Sequence, residues 1–464
     1  MPVASPAGRF VAVVTLMAGL GLTGCSGDED PGRSGPGKAD DTRPQPAAAV
    51  LHEPGTTWQL QADTVVPGGR FVPLTPVGDD EVPQPSGVVV GEVLVTAVAG
   101  QGPDAEPLLV GVSGAGKVLW RGQGYAGCWS PDAAALYCVR GEALVRVDAE
   151  TGGAGPGAAV AVAPGSAPVL DDGVLYVVTK PPGADETAYP PPFTLSALDA
   201  ATLKSVWPPD AGVAPLRGFG AGSPALDLNG DHVSVAAWKD SPDGQPDATQ
   251  LELDRATGKL LGSTHLGKSS FLERPWTVHR GFGNDKLEVL LGDEVQLRLK
   301  GQPWDTQDDR IVSTEGRVGV GSTLYDATTG QPVWERADLG DELDGWRWTA
   351  DRTQVAVTGY DAKAGTMATT YLDAATGTTQ WTGPGTDTAP TETPDAFLQV
   401  ATDHATSWAV QALDRRTGDV AWSKDVSELA RAGYDDGIAL GGPYVSPSAV
   451  WALAATTLVG YTGF

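Results

Sequence analysis

An all-β chain closed into a single β-propeller of seven or eight four-stranded blades, with seven favoured, is what the sequence predicts. Three observations predict it. A nine-residue phrase, Asp-x-x-Thr-Gly-x-x-x-Trp, keeps returning; the residues before each copy alternate with strand period; and Gly (61) and Pro (37) are plentiful, as a chain of many turns requires. Fixed self-similarity means that one supersecondary unit has been copied several times. Units of several short strands, with no amphipathic helical stretch between them, fit the blades of a propeller, where radial packing leaves only short edges. The length of 464 residues alone would suggest two or three domains. The repeats argue instead for one closed ring over residues 50–464.

The full phrase reads Asp326, Thr329, Gly330, Trp334; then Asp373, Thr376, Gly377, Trp381; then Asp414, Thr417, Gly418, Trp422. A fourth copy, Asp199, Thr202, Trp207, has Leu203 where the others have glycine. Weaker copies are Asp148, Thr151, Gly152 without a tryptophan, Asp254, Thr257, Gly258 with Leu261 nearby, and Ser113, Gly116, Trp120 with a loop one residue shorter. These markers make seven hairpins. Their spacing runs from 35 residues (Ser113 to Asp148) to 72 (Asp254 to Asp326), and the long gap holds strand-like text, Lys286 to Leu290 and Val295 to Leu299, that fits an eroded eighth unit.

Each part of the phrase has a physical task. Phe193, Leu195 and Ala197, or Trp408, Val410 and Ala412, share one face of the strand that enters the turn. The aspartate and threonine oxygens accept backbone N–H groups in the turn, and glycine supplies the positive φ that reverses the chain. The product is a β-hairpin with about four loop residues. The tryptophan then falls at a constant offset on the returning strand, as a residue wedged between adjacent sheets would. Burial of roughly 200 Å² at roughly 25 cal/mol per Å² sets an upper bound of about 5 kcal/mol for each such tryptophan. Closure of the ring is expected from strands at the two ends, Val88 to Val98 early and Val445 to Tyr461 late.

The phrase resembles the quinoprotein-like (PQQ-like) propeller repeat, whose blades end in a similar Leu-Asp-x-x-Thr-Gly-x-x-x-Trp. Leu198-Asp199, Leu372-Asp373 and Leu413-Asp414 match it directly, and the resemblance covers most of residues 86 to 464. Repeats of this kind serve proteins with quite different activities.

The N-terminus reads as an address. Arg9 precedes an apolar run from Phe10 to Leu22, too short to span a bilayer and of the length of a signal-peptide core. It ends in Leu22-Thr23-Gly24-Cys25, which looks like a bacterial lipobox: residues 1–24 are removed and Cys25 carries the lipid. The alternative is an ordinary secretory signal with a chance cysteine. Residues 26–49 are rich in Gly, Pro and acidic groups and contain no aromatic residue, so 25–49 is expected to be a lipidated cysteine followed by a flexible linker. The acidic, lysine-poor composition looks like that of lipoproteins from high-GC Gram-positive bacteria.

A net charge of −27 argues against nucleic acid and anionic lipid surfaces as partners. Besides Cys25 only Cys128 and Cys138 are present; they flank the turn sequence Ser130-Pro131-Asp132-Ala133, and export favours a cross-strand disulfide. The alternative is a pair of small buried thiols.

No residue set reads as a catalytic or metal centre. Asp227-Leu228-Asn229-Gly230-Asp231 alternates oxygen ligands as calcium loops do, but His232 and Trp238 stand where such a loop wants glycine and a bidentate carboxylate; Asn229-Gly230 reads better as a two-residue hairpin turn. His52, His232, His265, His279 and His404 are scattered, and no Gly-x-Ser-x-Gly elbow exists. Asp79, Asp80, Asp435 and Asp436 are carboxylate neighbours of the sort that 58 acidic residues produce by chance. Trp346 and Trp348, flanking Arg347, read as core residues before they read as a stacking platform.

The function class expected is a membrane-anchored, extracytoplasmic, non-enzymatic binding or scaffold lipoprotein, for which the propeller lipoprotein of the outer-membrane β-barrel assembly machinery is a fold-level analogue. The resemblance also allows a quinoprotein dehydrogenase using pyrroloquinoline quinone (PQQ) and calcium, although Cys128 and Cys138 are not the adjacent pair that such enzymes carry. A ligand sensor working with a partner chain is a third class.

Overall fold

Alternation with period two decides the architecture strand by strand. In Val174–Thr179, Leu175 and Val177 pack to one side against Tyr137 and Leu144, while Tyr176 and Val178 pack to the other against Val233 and Leu253. A strand buried on both faces needs a sheet on each side of it, and a chain of such sheets satisfies the need for all of them only by closing on itself. The computed structural model describes residues 48–464 except 75–85, 102–104, 164–166, 181–191, 209–215, 218–225, 230, 241–245, 268–269, 272–275, 282–285, 292–293, 301–310, 315–316, 321, 327–328, 340–342, 350, 362–365, 385–389, 403–407 and 429–440; it does not describe the side chains of 48–49, 192, 216–217, 227, 229, 236–250, 263–316, 318, 320, 343–345, 360–361, 366–367, 384 and 402. The lipobox, the linker before Ala48, and Asp79, Asp80, His404, Asp435 and Asp436 lie outside the described residues.

The described strands form nine antiparallel sheets in chain order. Sheet 1 holds Arg70–Val72, Gly87–Val90, Val93–Ala99, Leu108–Ser113 and Val118–Gly122; sheet 2 runs from Tyr125–Trp129 through Leu136–Arg140 and Ala143–Val147 to Ala154–Ala158. Sheet 3 comprises Val169–Asp171, Val174–Thr179, Pro192–Asp199 and Leu216–Arg217, and sheet 4 comprises Leu226–Asn229, His232–Asp240, Pro246–Asp254 and Leu260–Gly267. Sheet 5 spans Ser270–Phe271 to Glu294–Lys300, sheet 6 Ile311–Thr314 to Gln331–Glu335, sheet 7 Leu343–Trp348 to Thr379–Pro384, and sheet 8 Thr391–Glu392 to Val420–Asp425. Sheet 9 joins Gly441–Val445, Ala449–Leu453 and Thr457–Thr462 to Thr56–Gln61 from the other end of the chain. Ala62–Val65 is a single turn of α-helix.

The propeller predicted from the repeats is therefore present, with nine sheets where the phrase count pointed to seven or eight. The reason is local. The phrase marks the turn from third to fourth strand, and it does so in sheets 1, 2, 3, 4, 6, 7 and 8. Sheet 5 reverses between Leu291 and Glu294, which pair directly across two residues, so its turn has no room for the phrase; its strands Lys286–Leu291 and Glu294–Lys300 are the unit expected to be eroded. Sheet 9 needs no turn at all, because its third and fourth strands come from opposite ends of the chain.

Closure also differs in detail from the expectation. Val88 to Val98 belongs to sheet 1, and the strand that completes the last sheet is Thr56–Gln61, registered from Thr56 opposite Thr462 to Gln61 opposite Thr457. Gly55 N–H donates to the Gly463 carbonyl at 3.2 Å where the two ends meet. Buried clusters bridge sheets 1 and 2 (Val95, Trp120 with Leu136), 6 and 7 (Leu324, Trp334 with Trp346), 7 and 8 (Tyr371, Trp381 with Phe397), 8 and 9 (Leu398, Trp422 with Tyr461), and 9 and 1 (Trp451, Leu458 with Leu94).

Candidate functional site

All the phrase turns lie on one face of the ring, because third-to-fourth turns and first-to-second turns sit at the same end of an up-and-down sheet. In six of the turns one aspartate oxygen collects the local donors, and in the sheet 1 turn Ser113 Oγ accepts from Lys117 N at 3.2 Å. Asp148 Oδ1 accepts from Thr151 N at 2.8 Å and Thr151 Oγ1 at 2.8 Å; Asp199 accepts from Thr202 at 2.8 and 2.6 Å, Asp254 from Thr257 at 2.8 and 2.6 Å, and Asp373 from Thr376 at 2.8 and 2.8 Å. Asp326 takes Thr329 N at 2.8 Å, and Asp414 takes Arg416 N at 2.8 Å and Thr417 N at 3.1 Å. The threonine hydroxyl, and after it the backbone N–H groups, hold the Asp148, Asp199, Asp254 and Asp373 carboxyls below the usual aspartate range.

The tryptophans reach one sheet further. The indole Nε1 of each donates to the carbonyl of the residue just after the phrase's first position in the next sheet: Trp120 to Ala149 at 2.6 Å, Trp207 to Arg255 at 2.9 Å, Trp334 to Ala374 at 3.2 Å and Trp381 to Arg415 at 3.0 Å. Each of these rings lies on the glycine of the turn it reaches, Gly152, Gly258, Gly377 and Gly418 respectively. A Cβ at Gly418 would stand 2.3 Å from the Trp381 ring, so this position needs glycine for space as well as for its φ of 73°.

Two members of this ring of staples escape the phrase pattern. Trp58, on the N-terminal strand of sheet 9, donates to Gly114 at 2.7 Å and lies on Gly116 in sheet 1. Tyr137 of sheet 2 donates its hydroxyl to Ala200 at 3.0 Å, the same carbonyl of the sheet 3 turn that a tryptophan would have used. Sheet 2 has Pro156 where the phrase has tryptophan, and Leu203 fills the vacated space: it is 2 % exposed, packed near Tyr137, and holds φ at 54° to get there. Trp422 closes the set by donating to Val50 at 2.7 Å, in the 3-10 turn Ala48–Leu51, with Phe464 stacked 5.9 Å away. A tryptophan with no phrase before it in the chain and the Ser113–Gly116 turn after it is the signal that marks Trp58; Tyr137 carries no signal in the sequence.

Charged groups on this face are gathered at seams between sheets. Arg255 pairs with Asp171 of sheet 3 and its Nε donates to Tyr176 at 3.2 Å. Arg415 reaches Asp351 of sheet 7 at 2.6 Å and Glu392 at 3.4 Å, with its guanidinium 5.4 Å over Phe397; Arg347 donates to Tyr371 at 3.2 Å in the same seam. Burial works against the Asp351 carboxylate, yet Thr353, Thr349 and Arg415 together bring its pKa below the usual value. Burial pushes Tyr371 up. The same arginine position, one after the phrase aspartate, therefore clamps two different seams to the preceding sheet.

The remaining sequence candidates separate. Leu226–Asn229 and His232–Asp240 form a hairpin with Asn229 opposite His232. His52 is exposed and His232 half-buried, while the side chains of His265 and His279 lie outside the description. Trp346 is buried and stacks on Trp334 at 5.6 Å; Trp348 packs beside that cluster. Cys128 and Cys138 lie opposite each other in sheet 2, with Cα atoms 4.1 Å and sulfurs 2.06 Å apart, both buried. No group of three or more metal-ligating side chains occurs among the described residues, and no helix among them is long and apolar enough to cross a membrane.

The family model for outer membrane protein assembly factor BamB matches residues 108–274. No curated protein matches the chain in sequence. Among solved structures, BamB from Moraxella catarrhalis is similar at 14% identity and a TM-score of 0.36, covering 88% of this chain and 99% of that one. The quinohemoprotein alcohol dehydrogenase ADHIIG from Pseudomonas putida HK5 gives 13% identity and a TM-score of 0.46, covering 91% and 79%; that of Comamonas testosteroni gives 11% and 0.45, covering 92% and 78%. The same turn recurring in seven of the nine sheets makes the described chain a β-propeller, and the match over residues 108–274 agrees with a PQQ-like repeat.

Proposed function

We propose that the chain is a non-enzymatic binding or scaffold module, held outside the cytoplasm by a lipid on Cys25, that presents a rigid ring to a protein or cell-envelope partner. The observation that carries this reading is the use made of the polar groups on the phrase face. The turn aspartates are spent on their own threonines, the indole N–H groups on the next turn, and Arg255 and Arg415 on seam carboxylates. Such groups stiffen a platform, and pre-organised platforms bind with less ordering cost. The match to a BamB family model over residues 108–274 supports a role in protein assembly.

Two measurements test the reading. Fractionation of cells expressing Cys25→Ser should move the protein out of the membrane fraction; continued membrane association would remove the lipid anchor from the proposal. Calorimetric titration of PQQ with calcium into the protein should give no heat and no tryptophan quenching. Saturable one-to-one binding would instead establish the dehydrogenase alternative and direct the search to alcohol substrates.

A further inference from the structure

The outermost strand of every sheet has one edge of N–H and C=O groups with no strand partner among the described residues, and such edges are usually blunted by shortness, proline or charge. Most of this ring follows the rule. The outer strand of sheet 3 is only Leu216–Arg217, that of sheet 2 contains Pro156, and that of sheet 5, Glu294–Lys300, carries three charges. The outer strand of sheet 4, Leu260–Gly267, breaks it: at eight residues it is the longest of the described set, and its sequence LLGSTHLG has neither charge nor proline. Thr56–Gln61 shares that composition but is shorter by two residues.

Two further observations fall on the same strand. Leu260 and Leu261 are 44% and 49% exposed, two of the five large apolar residues exposed in the described chain, and Val206, 43% exposed, belongs to the neighbouring sheet 3. Gly262 occupies the place where the phrase has its tryptophan, and a Cβ built there would meet no atom within 4 Å. The edge is therefore long, flat in charge and open where other sheets are filled.

We propose that the free edge of Leu260–Gly267 is a docking site for an extended segment of another protein, which adds to sheet 4 as a fifth strand and covers Leu260 and Leu261. The inference rests on the binding-module reading and names its contact. Strand addition draws its affinity from main-chain hydrogen bonds and its selectivity from alternate side chains. A second copy of this chain is the wrong occupant, because two bodies of charge −27 repel and the edge supplies no compensating cations. The partner segment is about eight residues long, alternates apolar with uncharged polar residues, and is neutral or positive overall.

The test uses a fluorescein-labelled peptide of sequence KVTVTVTVK, titrated into the whole protein by anisotropy, with hydrogen exchange followed in parallel. Saturable binding, slowed exchange at 260–267, and at least a tenfold weaker Kd for the Leu260→Lys, Leu261→Lys double variant at unchanged Tm are the expected results. Binding that the double variant leaves intact would place the contact elsewhere, overturning the edge while sparing the binding-module reading. No binding to the unmodified protein overturns the edge. A concentration-dependent dimer in sedimentation that the same variant abolishes would hand the edge to a second copy and overturn the proposal.

Discussion

Trp381 and Gly418 belong to successive sheets, and the indole of one lies directly on the backbone of the other, with a would-be Cβ at 2.3 Å and the Nε1 proton on the Arg415 carbonyl at 3.0 Å. The two ends of the repeat phrase are thus halves of one contact made between different copies. That explains why tryptophan and glycine recur together. It also explains why Leu203 replaces glycine after the one phrase sheet in which Pro156 replaces tryptophan.

Removing the ring should cost far more than removing its proton. Trp381→Ala is expected to destabilise by about 3–5 kcal/mol through the cavity it leaves, and Trp381→Phe to lose about 1 kcal/mol more than ring burial alone for the missing hydrogen bond. Denaturant melts of both variants check this, and equal losses would mean that the hydrogen bond, not the ring, dominates.

Leu203→Gly separates strain from packing. Relief of a left-handed leucine is worth about 1–2 kcal/mol, whereas emptying its buried site costs about 2–5 kcal/mol. The variant should therefore be less stable by about 2 kcal/mol, and a rise in Tm would show that strain outweighs the packing.

The pH dependence has a definite sign at each end. Asp148, Asp199, Asp254 and Asp373 have folded pKa values below their unfolded ones, so the stability they confer is present above the ordinary aspartate pKa and is lost as pH falls through the depressed values. Burial pushes Tyr444 and Tyr461 up to about 12, so their contribution is present below pH 10 and is lost as pH rises from there through about 12. Chemical melts across pH should show a plateau between these limits. Thr202→Val and Thr376→Val should weaken the acid-side dependence, since the hydroxyl is the largest cause of the shift at Asp199 and Asp373.

An oxidised Cys128–Cys138 pair should add about 2–4 kcal/mol by closing a loop of sequence separation 10. Because both cysteines are buried, mild reductant should leave the oxidised protein's mass and Tm unchanged until it unfolds. Free thiols in the native protein, seen by alkylation and mass spectrometry, would restore the alternative of two packed thiols.

Deletion of residues 443–464 removes two whole strands of sheet 9 and most of a third, Gly441–Val445, and leaves Thr56–Gln61 without a partner. The whole ring is expected to lose cooperative unfolding, and removal of 48–61 should do the same from the other end. An unchanged single transition in either protein would mean that the ring does not depend on closure.

The amino-acid sequence by itself determined the local elements: strand period, the Asp-Thr turn at six sites with a serine variant at Ser113, and the all-β class, because these depend on contacts within about ten residues. It also made Trp120, Trp207, Trp334, Trp381 and Trp422 visible as a set. What only the tertiary structure decided is who meets whom. Tyr137 acts as a tryptophan because Ala200, distant in sequence, comes within reach; Trp58 completes the series because the chain ends meet; and the ring has nine sheets because sheet 5 and sheet 9 reverse or close without the phrase. Those relationships follow from the angle and register at which whole sheets pack, which no single repeat encodes.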